Sequence, residues 1–91
     1  MKFSLELGQM EKNTIEYDFN QLLGRLVISV NRQPIKKSVR LFSEPLREVH
    51  VFTVGQAEPY SVRIEKERKL LYGQVNRVFV DNRLVQCHDG V

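Results

Sequence analysis

The sequence predicts an all-β fold: an antiparallel β-sandwich of about eight short strands joined in meander order. Three observations predict it. Apolar residues recur with a period of two rather than 3.6, the spacing of strands with one buried and one wet face. Each alternating stretch stops at Gly, Pro, Asn or Asp, residues that favour turns. No segment places apolar residues at helical spacing over three turns, and tight turns between successive strands favour a meander.

The elements follow in order. Phe3, Leu5 and Leu7 alternate with Lys2, Ser4 and Glu6, which gives a strand over 2–7. After a turn over 8–13, Ile15, Tyr17 and Phe19 mark its partner over 14–20. A third strand, 25–30, runs into the tight turn Asn31-Arg32-Gln33-Pro34, where Asn tolerates a left-handed backbone and Pro cannot donate to a ladder. The fourth, 35–42, puts Ile35, Val39 and Leu41 on one side and Lys36, Ser38 and Arg40 on the other. Ser43-Glu44-Pro45 breaks the chain, and 43–47 is a candidate helical turn.

Residues 47–54 are too β-branched for a good helix. Val49 and Val51 face one way, and His50, Phe52 and Val54 the other. Both faces are largely apolar, so this strand is expected at the centre of a sheet. The next strand, 60–65, points Tyr60, Val62 and Ile64 inward. Lys66-Glu67-Arg68-Lys69 reads as a charged turn, and Leu70-Leu71-Tyr72 as a short strand or bend. The last hairpin is 77–80 and 83–86, with Asp81-Asn82 as a two-residue turn. Ile28-Ser29-Val30-Asn31-Arg32-Gln33 and Val78-Phe79-Val80-Asp81-Asn82-Arg83 echo each other. Unrelated hairpins share such a pattern; a true repeat would imply two similar meanders packed face to face.

The 91 residues are one domain's worth of chain, so 1–91 is read as a single domain with one core. Residues 1–7 are charged and alternating, unlike a signal peptide, and no run reaches the ~20 apolar residues of a membrane helix. The single cysteine, Cys87, forbids an intramolecular disulfide. Together these features lead to the expectation of a cytoplasmic protein with no membrane association. The net charge of +3 is uneven: residues 1–24 carry −2 and the remainder +5. That asymmetry permits an anionic partner without demanding one.

The chemically suggestive residues have plainer readings. Cys87 and His88 are adjacent, and neighbours on an extended strand point to opposite faces, so they form no nucleophile pair. A zinc site would draw on His50, Cys87, His88 and Asp89, three of them consecutive, with no CxxC, HxxxH or HxH spacing. The plainer reading is a partly buried structural His50 and a solvated tail. Glu16/Asp18 and Glu65/Glu67 are carboxylate pairs on wet strand faces, where nothing raises the pKa of one member for acid–base work. The glycines are isolated and begin no phosphate-binding loop. Hence no enzyme activity, cofactor or metal is expected.

The basic residues are the strongest surface signal. Lys36, Arg40, Arg63, Lys66, Arg68 and Lys69 are candidates for an anionic-ligand face. Nucleic acid is the less favoured ligand, because Tyr17, Phe19, Tyr60 and Phe79 mostly take the inward parity and Glu65 and Glu67 interrupt the basic run.

The order Ile15-Glu16-Tyr17, Arg25-Leu26-Val27-Ile28-Ser29-Val30-Asn31, Val51-Phe52-Thr53-Val54-Gly55, Tyr60-Ser61-Val62-Arg63-Ile64-Glu65 and Arg77-Val78-Phe79-Val80-Asp81 resembles the repeating domain of the Fas apoptotic inhibitory molecule family. It also resembles short bacterial all-β proteins that end in a similar hairpin. Asn82 stands where the family turn has Gly, and the chain has no tryptophan. The resemblance implies a compact antiparallel sandwich and a non-enzymatic, protein-interacting role. The expected function is therefore a non-catalytic β module that binds another protein or itself as a homodimer.

Overall fold

A computed structural model of the chain describes residues 1–40, 45–69 and 73–90. Eight strands form: β1 (Lys2–Leu7), β2 (Asn13–Asn20), β3 (Arg25–Val30), β4 (Gln33–Val39), β5 (Arg47–Val54), β6 (Tyr60–Arg68), β7 (Gln74–Val80) and β8 (Arg83–Gly90). They make two four-stranded sheets in the orders β1-β2-β3-β4 and β5-β6-β7-β8, and every neighbouring pair is antiparallel. The chain divides into two compact units, Met1–Glu44 and Pro45–Val91, each holding one sheet. No helix long and apolar enough to cross a membrane occurs among the described residues.

The first sheet buries Ile15, Tyr17, Phe19, Leu26 and Ile28, the inward members of the alternation on β2 and β3. Phe3 stacks on Tyr17 with ring centroids 4.5 Å apart. The second sheet buries Val54, Val62, Ile64, Val78 and Val80. Gly24, at φ 62°, opens β3; an added Cβ there would strike the carbonyl of Arg40, whose N–H donates to the Gly24 carbonyl at 2.9 Å.

The two hairpin turns echoed in the sequence are built alike. Asn31-Arg32 and Asp81-Asn82 all have positive φ, the signature of two-residue type I′ turns. The Asn31 N–H donates to the Thr14 carbonyl at 2.8 Å, and its Oδ1 accepts from the Thr14 N–H at 2.9 Å. Asp81 makes the same pair with Ser61, at 2.8 and 2.9 Å. Each turn is thereby tied to the strand that precedes its hairpin and pairs with it. A register shift follows in both ladders, between Ile28/Ser29 and between Val78/Phe79. The echo is thus a repeated four-stranded meander.

Several expectations are corrected. The first turn is Asn31-Arg32 alone; Gln33 and Pro34 belong to β4, an edge strand, where a missing N–H is tolerated. Ile35 and Val39 are exposed, and the register sets Lys36 and Ser38 opposite buried Ile28 and Leu26. Strand β5 lies at an edge rather than the centre. Residues 66–68 continue β6 instead of turning. Strand β7 starts at Gln74, and β8 continues through Cys87, His88 and Asp89, so these three are no loose tail. Phe79 takes the outward parity. Leu41, Phe42, the Ser43-Glu44 helix start and Leu70–Tyr72 lie outside the described residues.

Candidate functional site

The site grows from β5. The Leu46 carbonyl accepts from the Arg68 N–H at 2.7 Å. Antiparallel strands alternate the direction of their backbone groups, so even-numbered residues of β5 turn N–H and C=O toward β6. Arg47, Val49, Val51 and Thr53 turn theirs toward the free edge. On this edge no strand pairs with β5 among the described residues. Val49 is 54% exposed and Val51 66%.

The other edges are guarded. Strand β4 carries Pro34, Lys36, Lys37 and a register shift. Strand β8 carries the matching shift. Strand β1 alternates Lys2 and Glu6 with apolar residues. Proline, lysine and bulges all discourage pairing with a further strand. Strand β5 has no proline, lysine or register shift over eight regularly paired residues, and its charged pair, Arg47 and Glu48, stands at one end.

Beside the outward face of β5 lies an open groove of about 450 Å³, lined by Arg47, Val49, Glu65, Glu67 and Arg77 among others. Glu67 sits between Arg47 at 3.7 Å and Arg77 at 3.6 Å. All three are substantially exposed, so these pairs add little stability.

The inward face is different. Glu48, Lys66, Asn76 and His88 stand directly opposite one another across the four strands. Lys66 is only 3% exposed and Asn76 fully buried. Polar neighbours two residues away flank this row: His50 Nε2 lies 3.5 Å from Glu48 Oε1, Asn76 Nδ2 donates to Gln74 Oε1 at 2.7 Å, and His88 Nε2 lies 2.8 Å from Gln86 Oε1. His50 and Gln74 are each 1% exposed. In the first meander the equivalent row is Met1, Phe19, Leu26 and Ser38. Phe19 and Leu26 are as buried as Lys66 and Asn76. The same architecture therefore forms with apolar residues at the two buried central positions, so Lys66 and Asn76 are not required by the topology.

Of the six basic residues expected to form an anionic-ligand face, two lie in the first unit and four in the second. Lys36 and Arg40 belong to the first unit. Arg63 points outward from β6, where Nε bonds Glu65 at 2.9 Å, Nη1 bonds Asn82 at 2.8 Å and the guanidinium lies 4.3 Å over the Phe79 ring. Lys66 and Arg68 take the opposite parity of the same strand. Lys69 pairs with Asp89. Cys87 is exposed, while His88 faces the polar row. Among the described residues no group of three His, Cys, Asp or Glu is placed to hold a metal ion.

Sequence reasoning missed the β5 edge and the polar row. The signal for the edge was present: two apolar faces without proline or lysine. The same pattern also fits a central strand, the position expected from the sequence. Comparison with protein-family models, with curated proteins and with solved structures finds no match to this chain.

Proposed function

We propose that this protein is a non-catalytic β module that binds protein by strand addition at the β5 edge. In that mode an extended segment adds to a sheet, main-chain hydrogen bonds give affinity and alternate side chains give specificity. The observation that carries the reading is the unguarded edge: four outward-turned residues, with Val49 and Val51 exposed between them. The resemblance to Fas apoptotic inhibitory molecule domains implies the same kind of role. The single cysteine is in keeping with a cytoplasmic setting. Anion binding through the basic residues ranks second, because acidic partners already engage Arg63 and Lys69.

Val51→Pro tests the reading. The Val51 N–H points away from β6, so its loss spares the internal ladder and removes one outward donor. Light scattering with size-exclusion chromatography and amide exchange should show association that protects the Val49 and Val51 amides and is lost in the variant. A strict monomer whose β5 amides no added protein or peptide ever protects would refute the reading.

A further inference from the structure

We propose that the folded chain joins Lys66 to Asn76 through an intramolecular isopeptide bond, with Glu48 as the base. The reaction acts once, on the chain itself, and stands apart from the strand-addition reading. Its origin is the polar row of the second meander. The two buried central members of that row are a primary amine and a carboxamide, a nucleophile and an electrophile. Phe19 and Leu26 fill the matching places of the first meander, so the fold itself calls for neither group.

The register brings the pair together. Asp81 donates its N–H to the Ser61 carbonyl, so odd-numbered residues of β6 are the ones bonded to β7. Lys66 and Asn76 are therefore a non-hydrogen-bonded pair, directly opposite each other. Such pairs set their Cα atoms ~4.5 Å apart and bring their side chains closer than hydrogen-bonded pairs do. That gap is within the span of a lysine side chain. Both residues are buried, so water is a poor competitor for the carboxamide carbon. The Asn76 amide is fixed by Nδ2, which donates to Oε1 of buried Gln74 at 2.7 Å. Glu48 stands opposite Lys66 on its other side. A carboxylate beside the amine is placed to take its proton. Holding the reacting groups side by side makes a slow bimolecular reaction unimolecular.

The step balances without an added reagent. Glu48 takes one proton from the Lys66 ammonium, and the freed lone pair of Nζ attacks Cγ of Asn76. The Cγ–Nδ2 bond then breaks as Nδ2 gains a second proton from Nζ. Glu48 returns the first proton, and the departing nitrogen leaves as ammonium. An amide between Nζ and Cγ remains, and no group is oxidised or reduced.

Intact-mass spectrometry of the purified full-length chain tests this. The expected mass lies about 17 Da below that of the sequence, the mass of one ammonia. Peptide mapping should find the segments holding Lys66 and Asn76 joined to each other. Glu48→Gln keeps the shape of the side chain and removes the base, so that variant should retain the full mass. A folded parent chain of full sequence mass overturns the inference. So does a 17 Da loss carried by Asn76 in an unjoined peptide, the mark of a succinimide. A Glu48→Gln chain that links as completely as the parent overturns the role given to Glu48.

Discussion

Asn31 and Asp81 each perform three tasks with one small side chain. They take a positive φ, accept an N–H from the strand that precedes the hairpin, and direct their own N–H back to the same residue. Few residues combine tolerance of the left-handed region with a short acceptor. Asp81→Ala removes the acceptor and raises the backbone cost together. Urea unfolding should show a loss of about 1–3 kcal/mol, and Asp81→Asn should restore most of it. An alanine variant as stable as the parent would show that the Ser61 bond contributes nothing. Both turns were legible in the sequence because Asx chemistry is local. The partners Thr14 and Ser61 were not, since nothing near the turn specifies which strand lies beside it.

At the scale of elements, the polar row explains where the sequence reading fell short. Strand detection depends on apolar residues at inward positions. Where those positions are Lys66 and Arg68, Gln74 and Asn76, or His88, the alternation disappears. Those are the end of β6, the start of β7 and the end of β8, three places where strands run longer than the pattern suggested. The row also has an energetic consequence. Removing one member of a buried polar set leaves its neighbours unsatisfied, whereas replacing the set with apolar residues is often neutral or stabilising. Lys66→Met alone should therefore destabilise the protein, by roughly 1–3 kcal/mol in urea. The triple change Glu48→Met, Lys66→Phe, Asn76→Leu, which copies the first meander, should cost less than the single one. Additive losses in the three single variants and the triple would contradict this.

On the scale of the whole molecule, the chain uses one meander twice and elaborates the copies differently. The first fills its inward face with Phe3, Tyr17, Phe19 and Leu26; the second carries the ionisable groups and the open edge. In both units every paired strand is a neighbour in sequence. Loop closure is therefore short for all six pairings, which favours fast folding for an all-β chain. Stopped-flow refolding should be complete on the order of milliseconds. A dominant phase of seconds would show that local pairing does not set the rate.

The sequence by itself determined the all-β class, the antiparallel meander order, the two Asx-led hairpin turns and the inward parity of most strands. These follow from a period of two and from turn residues, which act over a few positions. Tertiary structure alone decided which strands are edges, because an apolar pattern on both faces reads the same at the centre of a sheet and at its rim. It also decided that Lys66 and Asn76 are buried and that Arg63 and Lys66 leave opposite faces of β6. Those outcomes depend on neighbours far away in the chain, which short-range periodicity does not encode.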